Sequence, residues 1–202
     1  ILNNIFLSCQ TGEIVGLLGR NGSGKSSLLK VIFGTLRADN QSVRINKSYF
    51  SHPYRQNAGI RYLPQEGFLP GYLRLRQVEA LFQIPTEVVQ EFNELNMLEN
   101  EKIKDLSGGQ KKLIEVLSIL YSDADFMLLD EPFSFLSPVA IEKLTIHLKN
   151  VSSSKGIVLT DHMFRTVLQT CDRLYLVGSG VLREIHEPSQ LVDIGYITQL
   201  PD

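Results

Sequence analysis

Eight consecutive residues, Gly19-Arg20-Asn21-Gly22-Ser23-Gly24-Lys25-Ser26, constrain this chain more than any other stretch, because they fit the phosphate-binding spacing G-x-x-x-x-G-K-[ST]. Ahead of them the apolar run Ile14-Val15-Gly16-Leu17-Leu18 predicts a buried parallel strand. Behind them Ser27, Leu28, Leu29, Val31, Ile32 and Phe33 follow a helical pattern. Strand, glycine turn and helix in that order belong to an α/β fold. The glycines let successive backbone N–H groups turn inward around a triphosphate, and the positive end of the helix favours the same anion. Lys25 is expected to reach the outer phosphates and the Ser26 hydroxyl to take a place on Mg²⁺. Gly19, Asn21, Gly22, Ser23, Gly24, Lys25, Ser26 and Ser27 are the candidate phosphate contacts.

Apolar strand-like runs alternate with helical patterns through most of the chain, which predicts a largely parallel sheet with helices on its faces. Phe126–Leu129, Ile157–Thr160 and Leu174–Val177 read as strands, and the first two end in acid. After the third, Gly178-Ser179-Gly180 leads into Val181–Ile185, a hairpin that makes part of the sheet antiparallel. Between about Glu66 and Ala124 the pattern turns helical, first from Gln77 to Phe82. A second helix is expected with Pro85 at its first position, leading Val88, Val89, Phe92, Leu95 and Leu98. The reading is therefore one domain over 1–202, with 1–65 and 125–202 forming a nucleotide-binding core and 66–124 a helical subdomain.

Composition narrows the class. A chain of 202 residues supports one full core, and 43% hydrophobic with 21% charged residues is the balance of a water-soluble globular protein. A formal net charge of −2 supplies no basic field for nucleic acid, which is not expected as a partner. No apolar stretch reaches the ~18–20 residues of a membrane span, and no leader pattern is visible. Cys9 and Cys171 lie far apart without metal-ligand spacing and read as reduced packing residues of a cytosolic protein.

Two further motifs narrow the chemistry. Phe126-Met127-Leu128-Leu129-Asp130-Glu131 is a buried strand followed by two carboxylates, which brings Asp130 near the phosphate loop to bind Mg²⁺ directly or through water. Glu131 becomes the candidate general base for water attacking the γ-phosphate. Leu106-Ser107-Gly108-Gly109-Gln110 precedes helical spacing at Leu113, Val116, Leu117 and Leu120. Ser107 is a good N-cap and the glycines permit close backbone approach, so Ser107, Gly108, Gly109 and Gln110 form a second candidate anion site.

The three motifs in this order resemble the ATP-binding-cassette (ABC) ATPase family, and the resemblance covers nearly the whole chain. It implies a P-loop NTPase with a RecA-like core sheet and an inserted helical subdomain. It also gives roles to two lone residues. Gln65, in Tyr62-Leu63-Pro64-Gln65, matches the glutamine that senses Mg²⁺ and the γ-phosphate, and His162, after Leu159-Thr160-Asp161, matches the switch histidine. His52, His147 and His186 read as surface or packing residues. The implied catalytic set is Glu131, His162 and Gln65, with Ser26, Gln65 and Asp130 around Mg²⁺.

The resemblance further implies a head-to-tail pair of cassettes, in the simplest case a homodimer. Each ATP would lie between the phosphate loop of one chain and the Ser107–Gln110 segment of the other. ATP would close the dimer and hydrolysis release it. The segments around Gly59–Glu66, Leu129–Phe133 and Leu159–His162 look most like bacterial cassettes of the branch with lipopolysaccharide-export and branched-chain amino-acid-import ATPases. That implies a transmembrane permease in another chain and a peripheral place on the cytoplasmic face of the membrane. The apolar loop Glu66–Leu75 suits either a groove for a permease helix or packing within the insert. Two departures stand out: Ser137 occupies the place of the family's D-loop Asp, and the chain begins after the point where an adenine-stacking aromatic would be sought. A soluble cassette, as in iron–sulfur assembly, and a binding-only regulatory cassette are the competing readings.

Overall fold

The apolar run ahead of the glycine loop is buried at every position because it is the interior of a sheet. In the computed structural model, which describes residues 2–199, β1 (Ile14–Leu18) pairs in parallel with β6 (Gly156–Thr160) on one side and β7 (Arg173–Gly178) on the other. Outward from β6 lie β5 (Phe126–Asp130) and β4 (Ile60–Leu63), also parallel, while β8 (Val181–Ile185) closes the other edge antiparallel to β7. The order is thus β4-β5-β6-β1-β7-β8. The expected hairpin turns through Ser179 and Gly180, with positive φ of 50° and 80°, the geometry of a two-residue turn that matches strand twist.

Side-chain alternation along these strands divides the core in two. Val15, Leu17, Ile60, Leu128 and Val158 face Leu28 and Leu29 of α1 (Lys25–Phe33). Ile14, Leu18, Leu63, Leu129 and Leu159 share the other core with the helices of the insert and with α5 (Pro138–Ser152). At Gly16 a Cβ would lie 2.7 Å from Val167 and 2.9 Å from Cys171 Sγ, so α6 (Phe164–Thr170) packs directly on the strand backbone. Both cysteines are free, and burial pushes the Cys9 thiol up to about 12, which makes each a packing group rather than a nucleophile.

The helical segment comprises α2 (Leu75–Phe82), α3 (Thr86–Glu91), 3₁₀ turns at Asn93–Leu95 and Ile103–Asp105, and α4 (Gly108–Leu120). The second helix differs from its sequence pattern. Pro85 is the N-cap and not the first helical residue, and the helix stops at Glu91 because Phe92 leaves it in an extended conformation (φ −95°, ψ 104°). Phe92 is fully buried, with its ring 5.5 Å from that of His147. Tertiary burial has therefore overridden the local period. His147 is a packing residue: Nδ1 lies 2.7 Å from the Tyr121 hydroxyl and Nε2 3.0 Å from Glu91 Oε2. Through it α5 is tied to α3 and to the end of α4.

Three strands carry no clear sequence signal. β4 has only four residues, and β2 (Val43–Ile45) and β3 (Ser48–Phe50) have three each. The β2–β3 turn has both Asn46 and Lys47 at positive φ, 51° and 69°. A lysine in the second position conceals the usual Asn-Gly signal. A short helix α7 (Gln190–Asp193) follows β8. No described helix is long and apolar enough to cross a membrane.

Candidate functional site

Parallel pairing brings the C-terminal ends of β1, β4, β5 and β6 to one edge of the sheet, where open α/β folds bind ligands. The residues that continue from those ends are Gly19, Gln65, Asp130 with Glu131, and Asp161 with His162. Four segments far apart in sequence thus converge without any long-range side-chain pairing being needed to gather them.

The glycine loop enters α1 through Gly24, which is left-handed (φ 104°) and offers no side-chain cap. Glycine permits this conformation without the steric cost of a Cβ. Leu28 makes the first helical bond, back to Gly24 O at 2.8 Å. The N–H groups of Lys25, Ser26 and Ser27 are left facing the loop, as an anion site requires. Lys25 is 6% exposed, donates to the Gly19 and Arg20 carbonyls at 2.7 and 3.3 Å, and forms no carboxylate ion pair among the described residues. Burial lowers its pKa from the ordinary lysine value, opposed by the charges of Glu131, Asp130 and Asp161. Ser23 Oγ is buried without a partner. A desolvated cation, an orphaned hydroxyl and free helix N–H groups are what a bound triphosphate would satisfy. Asn21, Gly22 and Ser27 lie exposed around the loop.

Asp130, at the end of β5, is 1% exposed and accepts three hydrogen bonds, which leaves a carboxylate of about four acceptor sites room for one more partner. Ser26 and Thr160 donate to its Oδ1 at 3.1 and 2.9 Å, and the Tyr62 hydroxyl donates to Oδ2 at 3.1 Å. The register that pairs Asp130 with Thr160 makes the second of these inevitable. Glu131 has a left-handed backbone (φ 54°) that turns its carboxylate away from the strand line. His162 Nε2 lies 2.6 Å from Glu131 Oε1, while Gln65 and Ser134 donate to Oε2 at 3.1 and 3.2 Å. Asp161 anchors the loop behind them, accepting from the Phe133 and Met163 N–H groups at 3.0 and 2.9 Å. Its burial raises its pKa above the ordinary carboxylate value, against the pull of those bonds.

The structure therefore brings the phosphate loop, Asp130, Glu131, Gln65 and His162 together and leaves Ser107–Gln110 apart, at the N-terminus of α4. There Ser107 Oγ accepts from Gln110 N–H at 3.3 Å and the Gln110 side chain accepts from Ser107 N–H at 2.8 Å, a reciprocal cap. Six supporting residues were not singled out in the sequence: Tyr62, Ser134, Thr160, Lys112, Glu115 and Tyr196. Lys112 donates to Gln65 O at 3.0 Å, Glu115 accepts from Phe68 and Leu69 N–H at 2.9 and 3.3 Å, and Gly19 N–H donates to the Tyr196 hydroxyl at 3.2 Å. Lys112 and Glu115 carried a signal, being charged residues within the helix that supplies Leu113, Val116 and Leu117 to the core. In the loop after Gln65, packing claims Phe68, Leu69 and Leu73, whereas Tyr72 stays 73% exposed.

A family model described as ABC transporter matches residues 2–134, across the phosphate loop, the Ser107–Gln110 cap and the two acids. The chain belongs to the ABC transporter family. The lipopolysaccharide export system ATP-binding protein LptB of Haemophilus influenzae is 31% identical over 214 residues, covering 96% of this chain and 87% of that protein. LptB of Escherichia coli is 29% identical, covering 99% and 90%. Among solved structures, an ATP-binding subunit of an ABC transporter superposes with a TM-score of 0.84 at 22% identity, over 96% of this chain and 87% of that one. A dimeric cassette in a post-hydrolysis state with ADP and phosphate gives 0.80, also at 22% identity, over 91% and 89%. The fold is that of the ABC ATPase cassette, with a mostly parallel sheet and an antiparallel edge. This ABC protein is an ATP-binding subunit of transporter type and an ATPase.

Proposed function

We propose that the residues converging at the sheet edge divide the work of ATP hydrolysis among them, and that the cassette works as a head-to-tail homodimer powering a transmembrane permease in another chain. Lys25 and the N–H groups of Gly22 and of Gly24 to Ser27 hold the phosphates. Ser26, Asp130 and the Gln65 amide oxygen, opposite the amide nitrogen that serves Glu131, are the oxygen donors for Mg²⁺. When bound, that ion neutralises charge on the phosphate oxygens. The donor set suits it: a hydroxyl, a carboxylate and an amide oxygen are the hard ligands Mg²⁺ takes, and Mg²⁺ bound to nucleotide needs few from the protein.

Glu131 orients the attacking water and accepts its proton as the new P–O bond forms and the bond to ADP breaks. His162, with its ring 46% exposed beside Glu131 at 11%, faces the space where the γ-phosphate would lie and steadies the charge developing there. The Ser107 hydroxyl and the Gly109 N–H of a second chain close over that phosphate from the opposite side. In this division 1–65 and 125–202 form the nucleotide-binding core and 66–124 the helical subdomain. The site stands at the membrane's cytoplasmic face, with the exposed Tyr72 loop toward the permease.

The observation that carries this reading is the three-way hold on Glu131 by Gln65, Ser134 and His162, beside an Asp130 already bonded to Ser26. Its test is the mass of the Glu131→Gln protein by light scattering. MgATP is expected to convert one chain into two, and MgADP is not. A protein that stays monomeric with MgATP would sink the homodimer.

A further inference from the structure

The seam between the segment after Glu131 and the start of α4 is joined by one residue of the insert, Glu94. Its carboxylate Oε1 accepts from the Ser137 hydroxyl at 2.6 Å, and its carbonyl accepts from the Gln110 side chain at 3.0 Å. Gln110 in turn holds Ser107. Glu94 thus connects the N-cap of α5 to the N-cap of α4. The two segments also touch directly: a Cβ on Gly109 would lie 2.6 Å from the Phe135 carbonyl.

The segment so anchored is strained. Glu131 and Phe135 both have positive φ, 54° and 66°, and non-glycine residues hold such conformations only where their surroundings impose them. Asp161 pins the middle of the segment at Phe133 N–H, and Ser137 pins its far end. Ser137 is already committed to helix α5, accepting from Ala140 N–H at 3.2 Å. Its proton is the one group it has left, and Glu94 takes it. The acid of this seam stands on the insert and the hydroxyl on the core.

The geometry points to Glu94 as a positioning residue for hydrolysis, holding the Glu131–Ser137 segment and the Ser107–Gln110 cap in register. This rests on the roles proposed for Glu131 and Ser107. The Glu94 side chain bonds Ser137 and not Glu131 itself, so its loss acts through the placement of Glu131, where an error of about 1 Å can lower turnover a hundredfold.

The test is an exchange of the pair in steady-state MgATP hydrolysis, with melting temperature measured alongside. Glu94→Ala is expected to lower kcat about tenfold at near-constant KM, because the phosphate loop is untouched. Ser137→Asp keeps a good N-cap but sets carboxylate against carboxylate, and is expected to lose a similar factor. Adding Glu94→Gln to Ser137→Asp restores a donor–acceptor pair with the acid on the other side, and is expected to recover most of the wild-type kcat. Wild-type kcat in Glu94→Ala, or a double variant no faster than Ser137→Asp, would overturn the assignment. An inactive wild type in the same assay would instead refute the roles of Glu131 and Ser107.

Discussion

Glu131→Gln is expected to lower MgATP turnover by about 10²–10⁴-fold, the usual worth of a positioned general base, while ATP binding persists. The substitution is nearly isosteric. Its amide can still meet Gln65, Ser134 and His162, the three groups that fix the carboxylate, so the site keeps its shape and loses its capacity to take a proton from water. Neither the phosphate loop nor Asp130 depends on Glu131 for a hydrogen bond. Phosphate release in a single turnover checks this, beside nucleotide binding by the same protein. A small loss in rate would shift the base to another group, and a loss of binding would show that Glu131 is structural.

Lys25→Met removes binding itself. The ammonium is buried and, among the described residues, bonded by two loop carbonyls, and breaking its pairing with a phosphate is expected to weaken ATP about 30- to 4,000-fold, equivalent to about 2–5 kcal/mol. The effect is visible in melting as well as in activity. At ATP about 100 times its Kd the wild type gains about 2.7 kcal/mol, a rise of roughly 5–10 °C for a chain of this size. At the same concentration the variant is expected to gain between almost nothing and about 0.9 kcal/mol, at most a third of the wild-type shift. Differential scanning fluorimetry across an ATP titration measures the contrast, and an equal shift in both proteins would contradict the role of Lys25.

The parts legible in sequence are those where a local pattern carries the physics. A continuous apolar run is a strand buried on both faces, and Ile14–Leu18, Phe126–Leu129 and Ile157–Thr160 all became one. Their parallel pairing then set where Asp130, Glu131 and His162 lie. β4 could not be read this way, because Arg61 and Tyr62 interrupt its four residues. Tyr62 nevertheless reaches Asp130, a contact fixed by strand order and not by any spacing in the chain. Phe92 shows the opposite failure: the helical period ran through it, but its burial beside His147 bends the backbone out of the helix. Ser137 read as the loss of an acid, and the acid beside it comes from Glu94, 43 residues earlier. Pairing across that distance leaves no mark in a linear pattern.

In the proposed dimer each ATP is worked on by the phosphate loop of one chain and the Ser107–Gln110 cap of another. Mixing two inactive proteins tests it. Lys25→Met disables the loop and leaves the cap intact. Gly108→Asp disables the cap: a side chain there meets no atom within 4 Å in the chain itself, so the protein folds, but the carboxylate repels an incoming γ-phosphate. Each alone is expected to be inactive. An equimolar mixture is expected to regain phosphate release, up to about a quarter of the wild-type rate if chains pair at random in a two-fold dimer, since half the dimers then carry one intact composite site. No recovery at any ratio would contradict a site shared between chains.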